Sequence, residues 1–529
     1  MPEGKWTPEQ RQVIRSRDRD LLVSAAAGSG KTAVLVERII RMLTDRDQPM
    51  DVDRLLVVTF TRAAAHEMKE KIRRAIDAEV LAARTIAHPT AEQSAKLSHL
   101  ERQLTLVHSA RIMTIDAFCA NLVRNHYNEI DLEPDFRIAE EGEVRLIAQE
   151  VMDQLMDDHY EAQDQAFLDL VDLYSRRGKD DRITDMIRDI YTAASADPWP
   201  MDWMDRSYDL YRIKSPDDMM KMPWIQGLVK RIKKQAAACE ELLNEAMRLS
   251  QLPGGPSYRD VLASDLVYCK SIGQAKDLGQ IADVLSGIAW ERLPSKRKGV
   301  DEELKERAKE LRDQSKKVMD KLREDYGRDP AAEGEKISRM APYLSSLLDL
   351  SREYASSFEA RKREKNVVDF ADLEHYALRI LRDPADPSHP MTETAEELCR
   401  QYAEVMIDEY QDSNELQEAI LSAVAGRDLG EHKTFMVGDI KQSIYSFRQA
   451  KPDLFSSKLK SYEKVPEDST DWVKRQRIDL SRNFRSRKEI LDFVNDFFYR
   501  VMQEDLGGVA YHEDVALYPG AAYPAADAG

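Results

Sequence analysis

The sequence predicts an α/β protein in which one parallel sheet is assembled from two distant stretches of the chain, with a long all-helical insertion between them. Three observations predict it. Short apolar, β-branched runs recur near the start of the chain and again after about residue 400. Most are continuous rather than alternating, as expected of parallel strands covered on both faces. Between 136 and 365 such runs nearly vanish, and charged segments with helical periodicity dominate.

The strand candidates are, in order, "DLLVSAA" (Asp20 to Ala26), "RLLVVTF" (Arg54 to Phe60), "RIMTIDAF" (Arg111 to Phe118), "EVMID" (Glu404 to Asp408) and "TFMVGD" (Thr434 to Asp439). Helical patterns such as "KTAVLVERIIRML" and "RAAAHEMKEKIRRAI" lie between or after them, which completes the α/β alternation. Within the insertion, Leu304, Ala308, Leu311, Ser315, Val318 and Leu322 keep three-four spacing and predict one stripe of a long helix packed on a neighbour. Ala and Ser in that stripe would weaken a dimerising seam. "DPWPMDW" (Asp197 to Trp203) and "LPGGPSY" (Leu252 to Tyr258) read as breaks between helices. "RQRIDLSRNF" from Arg475 reads as the opening of another domain, and "YPGAAYPAADAG" (Tyr518 to Gly529) as structureless. The expected organisation is a first sheet segment at 1–135, the insertion at 136–365, a second sheet segment at 366–460 and a further domain from 461 to 529.

A chain of 529 residues exceeds one ordinary core, and 42% hydrophobic with 33% charged residues indicates a soluble globular protein. No apolar run approaches the roughly 20 residues of a membrane span. The start, "MPEGKWTPEQ", lacks the basic-then-apolar order of a secretory signal. Cys119, Cys239, Cys269 and Cys399 are widely spaced, without a CxxC pair, and fit reduced thiols in a cytoplasm. A net charge of −18 argues against a broad basic face for nucleic acid. It does not exclude a narrow channel for one strand, which needs only local cations.

"AAAGSGKT", Ala25 to Thr32, follows a strand candidate and precedes a helical pattern. It matches the phosphate-loop pattern with Ala25 in place of the first Gly; Ala26 and Ala27 lead into Gly28, Ser29 and Gly30. Backbone N–H groups from Gly28 to Lys31 would cradle phosphates, Lys31 would reach the β/γ-phosphates, and Thr32 would hold Mg²⁺. "VMIDEYQD" supplies the partner: Asp408 would hold Mg²⁺ and Glu409 would orient and deprotonate a water. Two acids at a strand end also suit a helix N-terminus, but the phosphate loop favours the catalytic reading. "HEMKE", His66 to Glu70, begins like a zinc-protease helix, but Glu70 stands where the second His is required. In "FMVGDIKQSIYSFRQA", Gln442 is placed to sense a γ-phosphate beside Asp408 and Glu409. Tyr445 and Phe447 can present flat faces to successive bases, and Arg448 can meet phosphate; burial in the core is the competing reading for Phe447.

The order of these motifs resembles superfamily 1 helicases of the UvrD/Rep type. "WTPEQ" is similar to their Q motif, which implies that Gln10 reads the adenine edge. "VVTFTRAAAHEM" and "TIDAFC" resemble the strand-contact motifs, implying DNA contacts at Phe60, Thr61, Thr114 and Asp116. "DFADL" (Asp369 to Leu373) precedes the acidic strand, as in that family. "LSRNFRS" resembles motif IV, implying that Phe484 stacks on the base and Arg485 contacts the γ-phosphate. "VSAAAGSGKT", "TIDAFC" and "MVGDIKQSIYSFRQAKPDLF" look most like the AddA (RexA) family of the AddAB helicase–nucleases. The resemblance implies a RecA-like sheet domain 1A, the insertion as 1B and the start of a second RecA-like domain, 2A. It also implies ATP with Mg²⁺, 3′→5′ travel, single- and double-stranded DNA ends as substrate, and AddB (RexB) as heterodimer partner.

Departures are equally legible. Nothing after Arg485 matches motifs V and VI or the RecB-like nuclease, so the chain reads as an N-terminal piece of a longer protein. Ala33 stands where relatives often carry an adenine-packing Arg. A stand-alone UvrD-like helicase, or an ATP- and single-strand-binding module with little turnover, are the competing functions, and RNA is the competing strand.

Overall fold

The computed structural model describes residues 6–175, 179–213, 215–295, 299–445, 449–466, 469, 472–503, 510–521 and 523. The chain divides into two compact units. The first comprises 1–154, 191–200 and 355–529, and the second comprises 155–190 and 201–354.

The first unit is built on a seven-stranded sheet. Its strands are β1 (Asp20–Ala25), β2 (Leu55–Thr59), β3 (Arg111–Thr114), β4 (Glu404–Ile407), β5 (Thr434–Gly438), β6 (Glu463–Lys464) and β7 (Arg475–Leu480). Their spatial order is β3-β2-β4-β5-β1-β7-β6, and every neighbouring pair is parallel. Side chains alternate between two separate cores, which is why the sequence runs are continuous. Leu21, Val23, Leu55, Val57, Met406 and Phe435 enter one core, and Leu22, Leu56, Val58, Val405, Ile407 and Met436 enter the other. Segments 377 residues apart thus share one sheet, as the separation of Lys31 from Asp408 requires.

Two buried cations tie elements of this unit together. The Arg38 guanidinium, on the helix Lys31–Leu43, forks onto Glu404 at the start of β4 at 2.8 and 3.1 Å. It also donates to the carbonyls of Val13 and Ser16 at 2.6 Å, so each of the three nitrogens of the buried cation has a partner. Lys362 lies between Asp369 and Asp372 at 2.7 and 2.6 Å, where those two carboxylates form the capping box of the helix Phe370–Leu381. Burial and the neighbouring Asp369 carboxylate raise the Asp372 carboxyl to about 6.

The second unit is helical. The helix Glu302–Tyr326 buries Ala308, Leu311, Ser315 and Leu322 against the helix Pro223–Gln251, the stripe the spacing predicts. Arg312 pairs with Asp265 at 2.5 Å and donates to the Glu291 carbonyl, so its charge is matched inside the bundle. "LPGGPSY" separates the helices Pro223–Gln251 and Arg259–Gln274. "DPWPMDW" is a break only as far as Trp199, because a helix starts at Pro200. Proline is pre-organised for a first helical position, where no N–H is needed.

Two expectations are corrected. The strand from Arg475, expected to open a new domain, is β7 and pairs with β1 along its whole length. A parallel partner can come from any point of the chain, so sequence position does not reveal it. The stretch from Tyr518, expected to be structureless, pairs at Tyr518–Pro519 with Arg482–Asn483. Tyr518 N–H donates to the Ser481 carbonyl and Gly520 N–H to the Asn483 carbonyl, so the proline needs no donor of its own.

Candidate nucleotide and single-strand site

Every candidate residue among the described ones follows the C-terminal end of a strand or is strapped to a loop that does. In open parallel α/β sheets this is the edge where ligands bind. β1 leads into the phosphate loop, β4 into Asp408 and Glu409, β5 into Asp439 and Gln442, β2 into Phe60 and Thr61, and β3 into Thr114 and Asp116.

The loop is shaped by Gly28 and Gly30, both in left-handed backbone conformations at φ +70° and +83°. A Cβ on Gly28 would lie 2.8 Å from Asn483 Nδ2 and 3.0 Å from Arg485 Cβ, so the loop backbone and the Asn483 segment fit only without a side chain there. Asn483, 3% exposed, donates to the Ala27 carbonyl at 2.7 Å and accepts from the Arg485 and Ser486 N–H groups. Phe484 N–H donates to the Gly28 carbonyl. The segment holding Phe484 and Arg485 is therefore strapped across the loop. The Phe484 ring is partly exposed against Gly520, and Arg485 is exposed.

Gln10 is buried, and both ends of its amide are engaged. It donates to the Ser29 carbonyl at 3.0 Å and accepts from Thr7 N–H at 3.0 Å within the capping box of the helix Pro8–Arg15. The amide therefore holds the phosphate loop directly.

The helix Lys31–Leu43 begins at Gly30 with no side-chain cap and no acid in its first turn, which leaves a field favourable to an anion. Thr32 stands in that first turn, half-buried. Lys31 Nζ donates to both Glu409 oxygens at 3.0 and 2.8 Å. Glu409 sits at φ +51°, a conformation that turns its carboxylate back toward the loop at a cost of about 1–2 kcal/mol. Burial and then the Glu409 charge push the Asp408 carboxyl up to about 6, and the same two causes push Asp412 up to about 6. Ser29 Oγ and Asp412 Oδ1 are buried without a hydrogen-bond partner. Unpaired polar atoms and two carboxyls held above their usual range fit a site built for phosphates and a divalent cation. By donor set, Thr32 and Asp408 suit Mg²⁺, a hard cation that takes oxygen ligands.

Gln442 donates to Asp439 Oδ2 at 2.8 Å. The rings of Phe60 and Tyr445 meet with centroids 4.5 Å apart at 38°, joining residues from the ends of β2 and β5. Thr61 caps the helix Arg62–Arg84 and Thr114 caps the helix Ile115–Asn125, so each hydroxyl already accepts a backbone N–H. Asp116 lies in the first turn of the latter helix. Phe447 and Arg448 lie outside the described residues. Sequence reasoning missed Asn483, Asp412 and Asp439, although each stands within a motif it singled out; the Asn483 amide and the Asp439 N–H find partners on loops after other strands, at Ala27 and Gln411.

The chain is similar to three curated relatives, each named as the A-type subunit of an ATP-dependent helicase/nuclease. In Lachnoclostridium phytofermentans the identity is 40%, covering 99% of this chain and 37% of the relative. In Clostridium beijerinckii it is 40%, covering 98% and 41%, and in Bacillus licheniformis 40%, covering 99% and 42%. The chain thus spans about two fifths of the length of these relatives. Residues 6–463 match the family described as UvrD/REP helicase N-terminal domain. A match of that extent, on a parallel sheet with the phosphate loop and paired acids at one edge, makes this chain a member of the UvrD/REP helicase N-terminal domain family.

Proposed function

We propose that this chain is the ATP-driven motor of a helicase–nuclease that travels 3′→5′ on single-stranded DNA and processes double-strand ends for recombinational repair, paired with a protein of the AddB type. The observation that carries it is the shared sheet edge: the Lys31–Glu409 pair follows β1 and β4, and the Phe60–Tyr445 pair follows the flanking strands β2 and β5. Groups that meet phosphates and groups that can stack on bases are therefore one strand apart. The names of the relatives support the helicase and nuclease aspects of this reading.

In this reading the loop N–H groups and Lys31 hold the phosphates of ATP, and Thr32 with Asp408 hold Mg²⁺. The cation supplies positive charge that the two acids lack and that phosphate oxygens require. Lys31, on taking a phosphate, leaves Glu409 free to orient and deprotonate a water. Arg485, exposed beside the loop, supplies a further cation for the terminal phosphate. Phe60 and Tyr445 present ring faces to bases.

The test is Lys31→Ala in an assay of ATP hydrolysis with and without single-stranded DNA. Loss of the DNA-stimulated turnover is expected, and retained turnover refutes the site. Duplexes with 3′ or 5′ tails check the direction, and competition by oligo(rU) against oligo(dT) checks the strand type.

A further inference from the structure

Glu409 has a second partner besides Lys31, and it leads away from the nucleotide site. Gln411, 1% exposed, donates from Nε2 to Glu409 Oε2 at 2.9 Å and to Asp412 Oδ2 at 3.2 Å. Its Oε1 accepts from the backbone N–H of Asp439 at 3.0 Å. Asp439, 2% exposed, in turn accepts from Gln442 Nε2 at 2.8 Å and from Lys441. Ser443 Oγ donates to the Gln411 carbonyl at 3.4 Å, and Tyr445 is two residues further on. One buried amide thus joins the acid that faces Lys31 to the turn that carries Gln442 and Tyr445. The fit is close, since a Cβ on Gly438 would lie 2.2 Å from Gln411 Oε1.

We propose that Gln411 is a positioning residue that couples the two ligands, a nucleoside triphosphate at Lys31 and a single strand at Tyr445. The assignment rests on the reading of the site given above. The physical argument is a matter of hydrogen-bond supply. Lys31 spends two of its three N–H donors on the Glu409 oxygens here, so a phosphate that draws on more than the third loosens that grip. When an anion takes Lys31, the Gln411 amide is the contact that keeps the Glu409 carboxylate placed. Because its other end is fixed to Asp439 N–H, any shift of Glu409 moves or strains the turn after β5. The turn is the element that a bound strand would hold through Tyr445. By thermodynamic linkage, each ligand then alters the affinity of the other by the same factor.

The experiment measures that factor on this chain. A fluorescent, non-hydrolysable ATP analogue with Mg²⁺ is titrated with and without saturating oligo(dT), and labelled oligo(dT) is titrated with and without the analogue. The native chain should show at least a 5-fold mutual effect. Gln411→Met, which keeps the volume but supplies neither hydrogen bond, should bring the factor below 2 while each ligand alone binds within 3-fold of native. Gln411→Asn, one methylene shorter with the amide retained, should fall between them. A merely structural glutamine would lower both separate affinities in parallel and leave the factor intact, and that result overturns the proposal. So does a native chain that binds both ligands without coupling. Failure of the native chain to bind the analogue refutes instead the nucleotide-site reading, which Lys31→Ala tests independently.

Discussion

Replacing Asp408 by Asn should stabilise the ligand-free protein at neutral pH. The Asp408 carboxyl is held at about 6 in the fold against 3.8 in the free state, chiefly by burial and then by the Glu409 charge. Between those values the folded state binds more protons than the unfolded one, so the contribution of this group to stability falls as pH rises through the window. The full difference, near two units, amounts to about 3 kcal/mol above pH ~6.5. Asn retains an oxygen to accept the Glu409 N–H, which now lies 3.1 Å from Asp408 Oδ1. It forfeits some attraction to Lys31, so a gain of about 1–3 kcal/mol is expected, or roughly 1–4 °C in melting temperature. Thermal melts of native and Asp408→Asn chains in chelator, from pH 4.5 to 8, measure it. The gap should be complete near pH 7.5 and shrink to about a third at pH 4.5. A gap that is absent at pH 7.5, or that ignores pH, would refute the account of two crowded acids.

Three further outcomes follow from the same geometry. Tyr445→Ala removes one ring of the Phe60 pair and should weaken oligo(dT) binding by ~1–3 kcal/mol, with nucleotide affinity within 2-fold; anisotropy titrations check both. Gly28→Ala places a methyl against Asn483 in a left-handed conformation and should cost about 1–3 kcal/mol of stability, together with most nucleotide affinity, as read by melts and analogue titration. Lys362→Met leaves Asp369 and Asp372 facing each other without their cation and should cost about 3–5 kcal/mol at pH 7.5, less at pH 5, where Asp372 takes up a proton.

The sequence by itself determined what depends on local spacing. Continuous apolar runs identified five parallel strands, because a strand buried on both faces has no polar side to alternate with. The spacing of Gly28, Gly30, Lys31 and Thr32 pointed to a phosphate loop, because a strand, a tight turn and a helix N-terminus are consecutive in the chain. The order of motifs pointed to the helicase family to which residues 6–463 belong. The three-four spacing from Leu304 to Leu322 identified the buried stripe of one helix, because its partner face needs only the helical period.

Tertiary structure decided the rest, because strand order and side-chain pairing are set by contacts remote in sequence. It placed β7 beside β1 rather than in a new domain, and it drew Tyr518–Pro519 into pairing. It gave Gln10 to the Ser29 carbonyl, Lys31 to Glu409, and Asn483 to the Ala27 carbonyl. Above all it turned Gln411, an unremarked letter in "DEYQD", inward between two loops. A motif names the residues at the end of a strand; only the neighbouring strand decides which of them it binds.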